Sequence, residues 1–310
     1  MLYLHIGFHK TGTTYLQREI FKKVFLNSNK FYYKNLDDKN KFNQNISLEY
    51  FLDKYCEKKY NNYFYSNETI IQKNKLDFNF ISNSQKLLES LNNKNIKDFK
   101  ILITVRRQVE MIQSLYKDSL GWGYHNLSFQ DFLKEYNYFS DIFDYNSLYK
   151  NLTNIFGKEN IEIVFFENYT KDNNFKDLEN FFQKKFDYKK FKKNEVNKNI
   201  SNASAYLIFL YYKIFALKRN NFHYKIDKSL LNLIKDYQFK FFFKKSIYIL
   251  FNVRFYKLIS KYLDGLIKVV KIKIFNQRDT YKLFKKFEAS NKQLAKFYLN
   301  CPKNYFIQDK

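Results

Sequence analysis

Residues 5–17 hold the densest group of side chains that could bind an anion. Gly7 and Gly12, two of only six glycines in the chain, enclose a short loop between an apolar run and an amphipathic segment. This pattern predicts a strand, a loop and a helix. Glycine lets backbone approach a ligand closely, and the first N–H groups of a helix attract negative charge. The loop adds one cation and three hydroxyls, from Lys10, Thr11, Thr13 and Thr14. We therefore predict a phosphate-binding loop.

The loop differs from the phosphate loop of nucleotide triphosphatases. That loop follows the pattern G-x-x-x-x-G-K-[ST], in which a lysine comes directly after the second glycine. Gly7 and Gly12 have the required separation, but Thr13 stands at the lysine position and the lysine lies inside the loop, as Lys10. Nucleotide triphosphate chemistry is therefore not the first expectation.

A second anion-binding pattern follows the clearest buried strand, residues 100–105. Arg106 and Arg107 come directly after it, and Ser114 lies eight positions beyond Arg106 in a predicted helix of residues 107–119. Arginine binds phosphate bidentately, and open α/β sheets bind ligands beyond the carboxyl ends of their strands. One function that fits two anion-binding patterns is a P-loop kinase of a small molecule, which we keep as an alternative. Such a kinase would have a Mg²⁺-binding aspartate at a strand end. The arginines favour a transfer without metal.

Residues 9–14, together with Arg106 and Ser114, resemble the nucleotide-binding motifs of the P-loop sulfotransferase superfamily, in its bacterial, carbohydrate-sulfotransferase-like form. Residues 156–168, 197–201 and 291–295 carry weaker similarities. The resemblance implies 3′-phosphoadenylyl sulfate as donor, adenosine 3′,5′-bisphosphate as product, and no metal. The donor contacts that it implies are Lys10, Thr11, Gly12, Thr13, Thr14, Arg106, Ser114, Asn197 and Ser201.

Two side chains are the expected catalytic groups. Lys10 would stabilise the charge that develops on the leaving phosphate. Glutamate-dependent members of the superfamily place their base just after the strand that follows the phosphate-loop unit, and Glu68 holds that position after a predicted strand at 62–66. A base must reach the acceptor hydroxyl. His125 in a glycine-flanked segment is the alternative base, with His9 and His223 as further histidine candidates, whereas His5 is expected to be buried.

The elements around these residues predict an α/β fold with a P-loop-type parallel sheet flanked by helices. Residues 27–60 are polar and broken, with some helix near 47–57. We expect a sulfotransferase-like core at 1–202 and a basic, mostly α-helical extension at 203–310 whose last helix packs back on the core. Strands are predicted at 2–6, 62–66, 100–105 and 161–166.

Charge and cysteine content suggest partners and location. The chain has a formal net charge of +25, and residues 201–310 alone hold 23 Lys and Arg against 6 Asp and Glu. Such a basic segment suits an anionic partner. We expect a glycan or glycolipid acceptor, a peripheral contact with anionic membrane through residues 240–275, and no nucleic acid. A basic membrane- or nucleic-acid-binding module is the non-enzymatic alternative. Two distant cysteines, Cys56 and Cys301, predict no disulfide framework and a cytoplasmic location. The basic segment adds the expectation of a peripheral position at the inner membrane face.

Overall fold

A computed structural model gives the fold of most of the N-terminal two thirds of the chain. It describes residues 1–26, 28, 30–35, 47–70, 79–121, 124–125, 127–136, 143–170, 174–187, 191, 205–206, 275 and 277–297. Asn197, Ser201 and His223 lie outside these residues, and so do residues 240–274, the predicted membrane contact apart from Phe275. The predicted boundary near residue 202 lies outside them as well and stays a prediction.

Five parallel strands form a single sheet in the described part of the chain. They are β1 (Leu2–Gly7), β2 (Phe31–Asn35), β3 (Asn62–Ser66), β4 (Phe99–Val105) and β5 (Ile161–Phe165), in the order β2-β3-β1-β4-β5. The strands are mostly buried, as parallel strands covered by helices on both faces should be. The predicted α/β class is confirmed, and the prediction of a broken segment at 27–60 missed β2.

The helices connect these strands and cover the sheet. The helix after β1 runs as α1 (Thr13–Tyr15), a π-helical stretch (Leu16–Phe21) and α2 (Lys22–Phe25). The others are α3 (Leu48–Cys56), α4 (Phe80–Asn93), α5 (Gln108–Gly121), α6 (Phe129–Glu135), α7 (Tyr145–Phe156), α8 (Phe166–Thr170), α9 (Lys176–Phe182) and α10 (Gln277–Phe297). Within residues 203–310, the described helical residues are 205–206 and α10.

The chain divides into two compact units. The first comprises residues 1–111, 139–197 and 283–310, and contains the whole sheet. Its core is built largely from aromatic rings: Phe25 and Phe64 each lie 4.7 Å from Phe182 between ring centroids, and Phe21 packs edge-on against Phe64. Edge-to-face contacts of this kind add to the free energy gained by burying the rings. The many phenylalanines thus pack the sheet against α2 and α9.

The second unit comprises residues 112–138 and 198–282. Its described part is also an aromatic cluster, in which Tyr116 contacts Phe129, Phe132 and Phe275 with ring centroids 5.2–6.0 Å apart. Ser128 caps α6 by accepting a hydrogen bond from the Asp131 N–H at 3.2 Å. This capping fixes where α6 begins.

Candidate functional site

The predicted phosphate loop follows β1 in the middle of the sheet. Lys10 and Gly12 both have positive φ, 70° and 77°. A Cβ on Gly12 would lie 2.5 Å from the Phe166 ring, so only glycine fits this turn. The helix then begins at Thr13, which leaves the first helical N–H groups at the mouth of the loop. The π-helical stretch in this helix is a feature often found at functional sites.

A series of buried hydrogen bonds connects the loop to the neighbouring strands. Gln17 donates to Ser66 Oγ at 3.1 Å, and Ser66 lies 2.6 Å from His5 Nδ1. His5 Nε2 lies 3.4 Å from the Thr104 hydroxyl, which in turn lies 2.8 Å from the Thr11 hydroxyl. Thr11 donates to the Phe8 carbonyl at 2.7 Å. The Thr11 side chain therefore holds the loop to the sheet.

His5 is a structural residue, as predicted. It is fully buried, and burial lowers its pKa to about 3, so the ring is neutral near pH 7. A neutral ring has one donor and one acceptor nitrogen. This series of hydrogen bonds fits a proton on Nε2, because Thr104 can then accept from His5 while its own hydroxyl donates to Thr11. This tautomer is assigned from the hydrogen-bond network.

Glu68 lies directly against the phosphate loop. The register His5↔Ser66 sets the end of β3 beside the end of β1, so residues 67 and 68 emerge next to the loop. Glu68 Oε1 lies 3.0 Å from His9 Nδ1, and Glu68 Oε2 accepts a hydrogen bond from the Thr13 hydroxyl. The structure therefore brings Glu68 against two other predicted residues, His9 and Thr13, which lie 59 and 55 positions earlier in the sequence.

Arg106 joins the second predicted motif to the first. Its guanidinium donates to the Lys10 carbonyl at 3.2 Å and lies over the Phe166 ring, 4.6 Å from the centroid. Its own carbonyl accepts from the buried Tyr145 hydroxyl at 2.6 Å, and burial raises the pKa of Tyr145. The Nε atom is buried and has no hydrogen-bond partner among the described residues. A buried donor of this kind is available to an anion.

Glu167 is a buried carboxyl group that contacts the backbone of Arg107, next to Arg106. It is 5% exposed, and its Oε1 accepts from the Arg107 N–H at 3.3 Å. Burial raises its pKa to about 7; the Glu110 carboxylate acts in the same direction, whereas backbone N–H donors and Arg106 oppose the rise. Arg107 extends to Glu110, 3.3 Å away. Sequence reasoning did not assign a role to Glu167, although the similarity at residues 166–168 marked its position.

Helix α10 is tied to the start of α5 by a buried amide pair. Gln108 Nε2 donates to Asn291 Oδ1 at 2.7 Å, and Asn291 Nδ2 donates back to Gln108 Oε1 at 2.9 Å. Nearby, Asn146 donates to Gln293 at 2.8 Å, and Ser290 donates to Asp144, the N-cap residue of α7. Residues 290–293 therefore secure the first turns of α5 and α7.

The remaining predicted site residues are less closely connected. Thr14 is half-buried in the first turn of the helix after the loop, and Ser114 is buried on α5 in the second unit. The pairing of Ser114 with Arg106 stays a prediction.

His125 is 2% exposed, with Nδ1 accepting from the Leu127 N–H at 3.3 Å and Nε2 lying 2.9 Å from the Ser119 hydroxyl. Both ring nitrogens of His125 are engaged within the protein, an arrangement that favours a structural role.

Two features are absent from the described residues, a group of side chains that could hold a metal ion and a helix that could cross a membrane. No group of three or more His, Cys, Asp or Glu in the described ranges could hold a metal ion. Among the helices that the structure describes, none is long and apolar enough to cross a membrane.

Comparison with known proteins shows a similar fold in a solved structure. The sequence matches no protein-family profile and no curated protein. The fold is similar to the crystal structure of a sulfotransferase from Alicyclobacillus acidocaldarius, with 16% identity and a TM-score of 0.43; the match covers 69% of this chain and 90% of that one.

Proposed function

We propose that this chain is a sulfotransferase that moves a sulfuryl group from 3′-phosphoadenylyl sulfate to an acceptor hydroxyl. The observation that supports this most directly is the hydrogen bond from Arg106 to the Lys10 carbonyl, 3.2 Å long. It joins the phosphate loop to the strand-end arginine, the two features predicted to hold a nucleotide with phosphate at both its 5′ and 3′ ends. A donor with a single phosphate cluster would need only the loop.

Two parts of this site, the phosphate loop and the strand-end arginine, would hold the two ends of the donor. The 5′-phosphosulfate would meet Lys10, the hydroxyls of Thr13 and Thr14, and the backbone N–H groups of residues 11–14. The 3′-phosphate would meet Arg106, whose buried Nε is an available donor among the described residues. In the proposal Ser114, Asn197 and Ser201 complete the nucleotide contacts.

The transfer would need little covalent chemistry from the protein. The acceptor oxygen forms a bond to sulfur, and the bond from sulfur to the bridging phosphate oxygen breaks. Its electron pair stays on the phosphate, where Lys10 offsets the developing charge. The hydroxyl proton passes to Glu68, which must reach the acceptor within hydrogen-bond distance. The remaining rate enhancement comes from holding donor and acceptor in line.

The proposed acceptor is a sugar hydroxyl of a glycan or glycolipid. This part rests on analogy with carbohydrate sulfotransferases and on the charge of residues 201–310, which hold 23 cationic and 6 anionic side chains. An anionic membrane surface would attract such a segment. We accordingly propose a cytoplasmic enzyme that acts at the inner face of the membrane.

Binding of the product nucleotide tests the assignment. We expect adenosine 3′,5′-bisphosphate to raise the melting temperature of the chain without added metal, because a ligand that binds only the folded state stabilises it. Mg²⁺-dependent ATP turnover in place of this shift would favour the kinase. Binding of anionic vesicles or nucleic acid without either would favour the basic module.

Transfer itself is measured with ³⁵S-labelled donor and extracted glycans. Lys10→Ala is expected to lower transfer by about 100- to 1,000-fold, the usual effect of removing one group that stabilises developing charge. The exposed Lys22→Ala, in the helix that follows the same loop, serves as the matched control and should keep its activity. A fully active Lys10→Ala chain would overturn the assignment.

A further inference from the structure

The proposed reaction gives no role to Glu167, although this residue lies beside the two arginines that follow β4. The strand that precedes Glu167, β5, pairs with β4 in the register Val105↔Phe165, so the segments after the two strands leave the sheet side by side. Phe166 lies under the Arg106 guanidinium and Glu167 accepts from the Arg107 N–H. Consecutive residues on one segment thus support consecutive arginines on the other.

The second carboxylate oxygen of Glu167 sets this residue apart from an ordinary ion-pair partner. Oε2 is buried and has no hydrogen-bond partner among the described residues. An ionised carboxylate with an unsatisfied buried oxygen is costly, whereas a protonated carboxyl is much less so. The ionisable groups near Glu167 are Arg106, Arg107, Glu110, Tyr145 and Tyr169.

We infer that Glu167 is a positioning residue that takes up a proton when a phosphate binds at Arg106. This inference rests on the proposed function. A bound phosphate and an ionised Glu167 would compete for the same positive charge, so binding favours the protonated carboxyl. The protonated form still accepts from the Arg107 N–H through Oε1, and the turn that presents the arginines is kept.

The sign of the resulting pH dependence is fixed by linkage. Above the range in which free Glu167 ionises, each bound phosphate must bring one proton with it, so affinity falls as pH rises. The phosphate's own second ionisation, near pH 6, acts in the opposite direction because the dianion binds better. Between about pH 6.5 and 8.5 we expect the Kd for adenosine 3′,5′-bisphosphate to rise about tenfold.

Calorimetry in buffers of different ionisation enthalpy counts the protons directly. Titration of adenosine 3′,5′-bisphosphate into the full chain near pH 8 is expected to show uptake of close to one proton in the wild type and of none in Glu167→Gln. The glutamine has the shape and charge of the protonated carboxyl, so its Kd should stay nearly constant over this pH range. Glu110→Gln, which removes the other carboxylate beside Arg107, is the matched control and should keep the uptake.

The outcomes separate this inference from the proposed function. Equal proton uptake by wild type and Glu167→Gln would overturn the role of Glu167 while leaving the sulfotransferase proposal intact. Pyrophosphate is titrated in parallel as a second anion. If the chain binds pyrophosphate but not the nucleotide, the proposed function fails, and the difference in proton uptake between wild type and Glu167→Gln with pyrophosphate still decides the role of Glu167. Binding of neither anion would overturn both, and a thermal melt confirms that Glu167→Gln is folded.

Discussion

Glu68 contacts the predicted phosphate loop and is also the proposed base for the acceptor hydroxyl. Its carboxylate contacts both His9 and the Thr13 hydroxyl. If Glu68 is the base, Glu68→Gln removes the proton acceptor but keeps the side chain's shape. We expect transfer to fall by about 100- to 10,000-fold, the range for loss of a general base. Donor binding should change little, since the phosphate loop itself is intact.

His9 provides the contrast for this measurement. His9→Gln removes one of the two hydrogen bonds that described residues make to Glu68 and leaves the carboxylate in place, so we expect most of the activity to remain. Glu89→Gln, on the exposed face of α4, is a neutral control for the loss of a carboxylate. An effect of His9→Gln as large as that of Glu68→Gln would mean that the proton passes to the histidine and that Glu68 only orients the ring.

Sequence reasoning selected its candidate residues by their position after a strand end, and the structure places them there. Lys10, Glu68 and Arg106 each follow a buried strand, and parallel strands bring their carboxyl ends to one edge. It did not assign roles to Phe166 or Glu167, because their importance comes from contacts with Arg106 and Arg107, about 60 residues earlier. Side-chain pairing across that separation is set by strand register, which the sequence pattern does not specify.

Among the elements, α10 supports the start of α5, close to the arginine that we propose as a nucleotide contact. Its Asn291 forms the amide pair with Gln108, the first residue of α5, two positions after Arg106. Asn291→Leu would leave the buried Gln108 amide without this partner, at a cost of about 1–3 kcal/mol. We therefore expect a lower melting temperature and faster amide hydrogen exchange in the first turn of α5.

A double variant checks that the amide pair itself is responsible. Replacing both partners, Gln108→Leu with Asn291→Leu, removes the unsatisfied amide and should recover part of the stability. The two single changes would then be non-additive, as expected for residues in contact. Additive losses in the double variant would show that α10 is held by its other contacts, among them the buried Leu283 and Leu294.

The elements were predicted well where their hydrophobic pattern was clear. Strands β1, β3, β4 and β5 lie within one or two residues of their predicted bounds. Strand β2 was missed because Phe31–Tyr33 is a short aromatic run inside a polar segment, and its pairing with β3 decides its conformation. The π-helical stretch at Leu16–Phe21 has no sequence signal of its own, since its residues also fit an amphipathic α-helix.

For the whole molecule, a fall in pH changes the stability of the folded chain in two opposite ways. The net charge of +25 grows as pH falls, and the resulting self-repulsion destabilises the compact state. A buried glutamate with a raised pKa acts the other way, because the folded chain then binds its proton more tightly than the unfolded chain does. A comparison of two chains that differ only at Glu167 cancels the first effect and leaves the second.

Glu167 has a pKa of about 7 in the folded chain, against an ordinary glutamate value of 4.5. Its contribution to stability is fully present below about pH 4.5, falls as pH rises towards 7, and is absent above that. Glu167→Gln stays neutral throughout. We expect wild type and variant to melt together near pH 4.5 and the variant to be more stable near pH 8, by on the order of 1–3 kcal/mol. Thermal melts across this range measure the difference. A wild-type chain that is the more stable of the two at pH 8 would mean that Arg106 and Arg107 hold Glu167 ionised.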